Sequence, residues 1–224
     1  MGRVPALTTD GPVWTLDLGD DENRFSPTWL EEAEGLVARV TASTEPVALV
    51  TIGSGKFYSN GLDLEWVMAH PGDFFTYAAR VQDLLATILT LPVPTIAALN
   101  GHAFGAGAML ALAHDFRIMR TDRGYFCLPE ADIRIPFTEG MSALIQGKLA
   151  PQAAVASMTT GHRFGGEEAA AYGIVDGVAP LESLAAAAAD RVRALAGKDR
   201  LTLGTIKSRM YAGVVTALRT PPAA

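Results

Sequence analysis

Residues 100–115 read NGHAFGAGAMLALAHD, and they follow a proline-bracketed apolar run, LPVPTIAAL, at residues 91–99. This order predicts a strand that runs into a glycine-dense turn and then into an apolar helix. Glycine lets the backbone come close to a bound group. The first N–H groups of a helix lack intrahelical partners and carry the positive end of its dipole. The turn can therefore hold an anion, or a carbonyl oxygen that becomes one; the alternative is a close-packed turn in an α/β core.

A second turn of the same kind lies earlier in the chain. The run ALVTIG at residues 48–53 predicts a buried strand, and GSGKFYSNGLDLEW at residues 53–66 leads through glycines into another helix. Each turn can offer one backbone N–H group, and an oxyanion hole needs two donors that converge on one oxygen. The pair of turns therefore indicates an oxyanion hole.

Four blocks, in this order, resemble the crotonase (enoyl-CoA hydratase/isomerase) superfamily. They are KFYSNGLDL at residues 56–64, GHAFGAG at 101–107, PEADI at 129–133, and TG at 160–161 followed by EAAAYGIVD at 168–176. The resemblance implies an α/β fold of repeated ββα units, wound as a spiral, with C-terminal helices. We expect an acyl-CoA-binding core at residues 1–180 and a helical segment of the same domain at 181–224.

The resemblance also implies acyl-CoA thioester substrates and an enolate held by the backbone N–H groups of Leu62 and Ala106. CoA is then part of the substrate, and no separate cofactor is expected. The family further implies a homotrimer or a dimer of trimers. The other motif positions expected at the substrate are Lys56, Phe57, Ser59, Gly61, Gly105, Gly107 and Met109.

The acids near the two turns decide the chemistry. Hydratases of the family use two carboxylates to position a water molecule and move its proton, and the matching positions here are Met109 and Glu130. Met109 cannot accept a proton, so half of the hydratase pair is missing. Glu139 lies in a T-E-G segment similar to the one that supplies the base in one branch of the Δ3,Δ2-enoyl-CoA isomerases. Glu130 matches the position of the base in another isomerase branch.

An isomerase needs only one base, which removes a proton from C2 of a 3-enoyl thioester and returns it at C4. We therefore predict a Δ3,Δ2-enoyl-CoA isomerase, with Glu139 as the proton shuttle and Glu130 as the runner-up. Met109 would supply an apolar wall, which raises the pKa of a neighbouring carboxyl group.

Each assignment has an alternative. Glu139 could simply cap a helix, and Glu130 could be buried in an ion pair with Arg134, at a position where the family usually has glycine. A hydratase that uses both acids, a thioester hydrolase or decarboxylase, and a catalytically silent acyl-CoA-binding protein also stay open. His102 and Asp63 fit structural roles better, Asp63 as a helix cap.

Composition narrows the function classes. The chain has 224 residues, 49% of them apolar, which suits one domain with a core. A formal net charge of −6 and the lack of a basic tract argue against nucleic-acid binding. CoA phosphates still need local cations, for which Lys56, Arg24 and Lys207 are candidates. The single cysteine, Cys127, excludes an intrachain disulfide, and the four histidines show no metal-ligand spacing, so we predict no metal.

No apolar run reaches the length of a membrane span, and the first residues lack the apolar segment of a signal peptide. We therefore expect no membrane partner and a cytoplasmic location. Periodicity and turn signals predict strands at 13–18, 47–52, 116–121 and 124–128, and helices at 26–42, 74–89, 141–149, 166–172, 181–196 and 203–218.

Overall fold

The computed structural model describes residues 4–221. Residues 1–3 of the expected core (1–180) and residues 222–224 of the expected helical segment (181–224) lie outside the described residues. In chain order the strands are β1 (Ala6–Asp10), β2 (Val13–Asp17), β3 (Ala48–Ile52), β4 (Phe57–Ser59), β5 (Thr95–Leu99), β6 (His102–Phe104), β7 (Phe116–Arg120), β8 (Phe126–Cys127) and β9 (Val178–Ala179). The helices are α1 (Pro27–Ala42), α2 (Leu64–Ala69), α3 (Phe74–Leu89), α4 (Ala106–Leu112), α5 (Glu130–Ile133), α6 (Glu139–Lys148), α7 (Pro151–Thr160), α8 (Gly166–Ala171), α9 (Leu181–Arg193), α10 (Arg200–Met210) and α11 (Ala212–Arg219).

The strands form two sheets. The larger one has the order β1-β2-β3-β5-β7-β9 and is parallel except for the antiparallel pair β1–β2. The smaller one is parallel, with the order β4-β6-β8. Each strand β3, β5 and β7 of the large sheet is followed by a strand of the small sheet and then by a helix. This repetition confirms the predicted α/β fold of ββα units.

Helices cover both faces of the large sheet, which explains why its central strands β3 and β5 are buried and mostly apolar. All five residues of β5 are buried. Ala97 and Leu99 belong to the main core on one face, whereas Ile96 and Ala98 contact a second core on the other face. In α9, Leu184, Ala188 and Val192 supply the helical side of that second core at four-residue spacing. The alanine-rich C-terminal run is therefore a structural cover for the sheet.

Local sequence signals fixed several element boundaries. Ser26 caps α1 by accepting the Trp29 N–H group, as the Ser-Pro start predicts. Gly173, with φ +68°, follows the end of α8 as a terminating glycine would. The single helix predicted at 203–218 is wrong, because the backbone breaks at Tyr211 (φ −109°, ψ 18°) into α10 and α11.

The last helix packs back onto the chain. α11 contacts α3 and α6, and Gly140 in α6 has no room for a Cβ, which would lie 2.6 Å from the Leu218 Cα atom. Over residues 4–221, no helix combines the length and apolar character needed to cross a membrane.

Candidate active site

The two glycine turns meet in the structure. Gly61 has φ +77°, and a Cβ on it would lie 2.8 Å from the Ala106 nitrogen and 2.9 Å from the Gly107 nitrogen. Gly107 lies equally close to the first turn, because a Cβ there would overlap with the Ser59 carbonyl oxygen. Both positions require glycine because the main chain of one turn packs directly on that of the other.

Three residues expected at the substrate belong to this packing instead. Ser59 is fully buried, and its hydroxyl donates to the Asn23 carbonyl (2.7 Å) and accepts from the Gly61 N–H group (3.1 Å). Gly61 and Gly107 are buried as well. The structure places these three between the turns rather than at a cavity wall, because backbone contact leaves no free surface there.

Leu62 and Ala106 line a cavity of about 310 Å³. Within residues 4–221, neither of their N–H groups has a hydrogen-bond acceptor. Neighbouring N–H groups are paired: Gly105 donates to the Cys127 carbonyl and Met109 donates to the Gly105 carbonyl, both at 3.0 Å. The two N–H groups expected to form an oxyanion hole are therefore available to a bound oxygen.

The cavity wall is mostly apolar. Of the residues expected at the site, it includes Leu62, Gly105, Ala106, Met109 and Glu130, and it is completed by Arg24, Asn60, Leu64, Glu65, Phe104, Pro129, Ile133, Ile135, Pro136 and Met141. Sequence reasoning missed most of this second group. The signal was present in the segment IRIP at residues 133–136, whose apolar residues directly follow the acid of the PEADI block.

Glu130 is the buried acid of this cavity. It is the first residue of α5, its exposed fraction is 9%, and its Oε2 atom has no hydrogen-bond partner. Its Oε1 atom would lie only 3.3 Å from a Cβ on Gly105, so the carboxyl group is beside the turn that carries Ala106. Burial raises the pKa of Glu130 from 4.5 to about 7, and its own backbone N–H group lowers it by less.

The expected alternative for Glu130, an ion pair with Arg134, is wrong. Arg134 is exposed, ends α5 in the left-handed conformation (φ +60°), and makes no ion pair with Glu130 among the described residues. Glu65 is the other acid that lines the cavity, and it is bound by Arg24 at 2.9 Å. Among the described residues, Glu130 is thus a buried carboxyl group without an ion pair in a mostly apolar pocket, which is the environment of a general base.

Glu139, the other candidate base, lies outside the cavity wall. It begins α6, its side chain is exposed, and it is not among the residues that line the cavity. The helix cap is Thr138, whose hydroxyl accepts from the Met141 N–H group (3.1 Å) and donates to Gln82 Oε1 (2.6 Å). Met141, one turn of helix further on, does reach the cavity wall. The structure therefore brings Glu130, and not Glu139, to the two N–H donors.

Phe57 begins β4 of the small sheet and Lys56 directly precedes it, and neither residue lines the cavity. The Lys56 Nζ atom is 5.2 Å from the Phe57 ring centre, and that ring packs against the half-buried His102 (5.3 Å) and Phe104 (6.4 Å). Asp63 accepts from the Trp66 N–H group at the start of α2, as expected for a cap.

Lys207 cannot meet a CoA phosphate in this conformation. It is buried, and its Nζ atom donates to Asp115 Oδ2 (2.6 Å) and to the Val93 carbonyl (2.7 Å). Arg24 is held by Glu22 and Glu65. Of the three cations considered for CoA, Lys56 is the one without an ion pair among the described residues.

Comparison with known proteins shows the family of this chain. The profile of the family described as "Enoyl-CoA hydratase/isomerase" matches residues 13–222. Enoyl-CoA delta isomerase 3 of Arabidopsis thaliana is 41% identical over 180 residues, covering 77% of this chain and 76% of its own. A carnitinyl-CoA dehydratase of Salmonella enteritidis is 36% identical over 212 residues, covering 92% and 80%. The structure of an enoyl-CoA hydratase/isomerase family protein from Pseudomonas syringae has a TM-score of 0.90 at 24% identity, covering 97% and 94%, which shows the shared fold.

Proposed function

We propose that this chain, which belongs to the enoyl-CoA hydratase/isomerase family, is an enoyl-CoA isomerase that converts 3-enoyl-CoA into 2-enoyl-CoA. One observation carries the proposal: within residues 4–221, the Glu130 carboxyl group makes no ion pair, its Oε2 atom has no hydrogen-bond partner, and it lies beside the turn whose Ala106 N–H group, like that of Leu62, has no acceptor. The apolar Met109 completes that wall of the cavity. One base and one oxyanion hole are sufficient for a proton shift.

In the proposed reaction, the thioester oxygen accepts hydrogen bonds from the N–H groups of Leu62 and Ala106. The Glu130 carboxylate removes a proton from C2, and the electron pair of that C–H bond moves into the thioester to give a dienolate. The Glu130 carboxyl group then returns the proton to C4, and the double bond comes to rest between C2 and C3. The atoms balance without water or a redox partner, so we propose no cofactor beyond the CoA of the substrate.

The pKa of Glu130, about 7, suits both halves of this cycle. Near neutral pH the side chain is ionised in part of the molecules, so that it can accept a proton, and its conjugate acid is weak enough to hold that proton until it is returned. Typical contributions are roughly 10²–10⁴-fold for a general base and roughly 10²–10³-fold for one oxyanion donor.

Hydration is the second candidate, because the carnitinyl-CoA dehydratase relative spans more of this chain than the isomerase does. A hydratase that pairs Glu130 with Glu139 is disfavoured by the exposed position of Glu139 outside the cavity. Met109 stands at the position where a second carboxylate would act, and it cannot orient water.

One assay separates the candidates. The purified protein is incubated with a 3-enoyl-CoA and, separately, with the matching 2-enoyl-CoA, and the conjugated thioester is followed by its ultraviolet absorbance. An isomerase forms conjugated product from the first substrate and leaves the second largely unchanged. Fast loss of the 2-enoyl-CoA without use of the 3-enoyl-CoA would contradict the proposal and favour hydration. Binding of both esters without turnover would indicate a silent acyl-CoA-binding protein.

We also propose a homotrimer or a dimer of trimers, on the strength of the family resemblance, and light scattering on the purified protein tests it. A cytoplasmic location is proposed because the one cysteine of the chain, buried as a free thiol at Cys127, needs no oxidising compartment. Cell fractionation tests the location.

A further inference from the structure

A chain of buried hydrogen bonds joins β4 to α4, and none of its residues lines the cavity. The Tyr58 hydroxyl lies 2.7 Å from Thr51 Oγ1, Thr51 Oγ1 lies 3.0 Å from His114 Nε2, and His114 Nδ1 lies 2.8 Å from the Leu110 carbonyl oxygen. Tyr58, Thr51 and His114 are all completely buried. No step of the proposed reaction uses these three side chains, although together they carry two hydroxyl groups and an imidazole.

The direction of each hydrogen bond follows from the last one. The Leu110 carbonyl can only accept, so His114 carries its hydrogen on Nδ1. Burial lowers the pKa of His114 to about 3, so the ring is neutral and Nε2 is an acceptor. Thr51 must then donate to Nε2, and Tyr58 must donate to Thr51. All three side chains are satisfied in one arrangement only.

This chain of hydrogen bonds connects the two elements next to the oxyanion donors. Tyr58 is in β4, which leads to Leu62, and Leu110 is in α4, which begins at Ala106. The Leu110 carbonyl is one of the last four of that short helix, which have no intrahelical partner. His114 satisfies it and, through Thr51 of β3, ties the far end of α4 to β4.

Two cationic side chains hold the backbone at the His114 end of this hydrogen-bond chain. The His114 carbonyl accepts from the half-buried Lys148 Nζ (2.8 Å) and from the buried Arg117 guanidinium (3.2 Å). The His114 ring therefore starts from a fixed backbone. At the other end of α4, Gly61 and Gly107 set only how closely the turns can approach. Backbone contact at the start of α4 and the hydrogen bonds of His114 at its end together determine the position of this helix.

We propose that Tyr58, Thr51 and His114 are positioning residues of the oxyanion hole, which hold the N–H groups of Leu62 and Ala106 at the separation that one thioester oxygen requires. The inference rests on the proposed function of those two N–H groups. An error in position weakens transition-state binding more than ground-state binding, so it lowers kcat rather than raising KM.

The test replaces Thr51 by valine, which keeps the shape and removes both central hydrogen bonds. We expect kcat for a 3-enoyl-CoA to fall by about tenfold, less than the roughly 100-fold loss of a whole donor, with KM changed by less than about threefold. Thr51→Ser restores the hydroxyl and should recover most of kcat. Tyr58→Phe removes only the terminal hydroxyl and should cost about threefold; on the Thr51→Val background it should cost nothing more, because its partner is already gone.

Thr95→Val is the matched control. Thr95 is also completely buried, lies in the neighbouring strand β5, and its hydroxyl accepts from the Asp115 N–H group (2.9 Å) at the opposite end of the sheet from the turns. We expect a loss of Tm similar to that of Thr51→Val, with kcat unchanged. If Thr95→Val lowers kcat as much as Thr51→Val, or if folded Thr51→Val keeps the wild-type kcat, the inference is overturned. If Thr51→Val does not fold, a wild-type kcat in Tyr58→Phe overturns it as well.

A second measurement separates this inference from the isomerase proposal. Acetoacetyl-CoA forms an enolate that absorbs in the near ultraviolet, and an oxyanion hole raises the bound enolate fraction at a fixed pH. If the wild-type protein raises this fraction but does not isomerise, the isomerase proposal fails while a lower fraction in Thr51→Val still supports the positioning role. If the wild-type protein does neither, both proposals fail. An equal enolate fraction in the wild type and in Thr51→Val rejects the positioning role alone.

Discussion

Replacement of Glu130 by glutamine tests both the chemistry and the electrostatics of the site. The change keeps the size of the side chain and one oxygen atom but removes the ability to accept a proton. If Glu130 is the base, isomerisation should fall by roughly 10²–10⁴-fold. Affinity for acyl-CoA should change little, because the N–H donors of Leu62 and Ala106 are untouched.

The same replacement should stabilise the protein at high pH. Below pH 4.5, Glu130 is protonated in both the folded and the unfolded chain. As the pH rises towards 7, the unfolded chain releases this proton first, because burial raises the folded pKa from 4.5 to about 7. The folded wild-type protein therefore loses stability over this window, up to about 3 kcal/mol once the pH exceeds the folded pKa.

Two measurements follow. Chemical denaturation at pH 4.5 and pH 8 should show that the stability advantage of Glu130→Gln over the wild type grows by about 3 kcal/mol between these values. The wild-type kcat/KM, which reports ionisation in the free enzyme, should rise with pH through about 7 as Glu130 ionises. Glu139→Gln is the matched control: its side chain is exposed and outside the cavity wall, so the change should leave kcat/KM unaltered.

The opposite pattern would refute the reasoning. An inactive Glu139→Gln variant beside an active Glu130→Gln variant would make Glu139 the base, as the T-E-G segment suggested. Full activity in both variants would remove the carboxylate mechanism altogether. A stability difference that does not depend on pH would show that Glu130 ionises at an ordinary pKa in the folded protein.

Three further changes probe other parts of the site. Met109→Glu supplies the missing second acid and should raise hydration of 2-enoyl-CoA by at least about tenfold; no rise in a variant shown by its Tm to be folded would mean that more than this acid is missing. Gly107→Ala should lower the free energy of unfolding by about 1–3 kcal/mol and also lower kcat, because its Cβ would overlap with the Ser59 carbonyl. In contrast, Gly35 is exposed in α1 with open space around it, so Gly35→Ala should raise the free energy of unfolding by about 0.5–1 kcal/mol. Chemical denaturation measures both changes. Arg134→Gly relieves a left-handed backbone (φ +60°) and should gain up to about 1 kcal/mol; a loss in denaturation would show that the arginine makes a stabilising contact that outweighs the strain.

The sequence predicted the parts of the fold that depend on local signals. The glycine turns at Gly61 and Gly107, the Ser26 cap and the terminating Gly173 all depend on backbone conformations or contacts that few residues allow. The four sequence blocks that resemble the family predicted the repeated ββα units. The break at Tyr211 was missed because a glycine inside a helical pattern, such as Gly213, is tolerated as often as it marks an end. The packing of α11 on α3 and α6 accompanies the break.

The base could not be chosen from sequence because Glu130 and Glu139 look alike there. Each starts a short helix after a loop, and each has apolar neighbours. What separates them is long-range packing. Gly105 brings the second glycine turn to within contact of the Glu130 carboxyl group, whereas Gly140 is closed in by Gln82 and the last helix, and Glu139 next to it is left exposed. The proposal that Glu130 is the base therefore depends on how α3 and α11 hold α6, and we expect a change in that packing to alter which acid reaches the site.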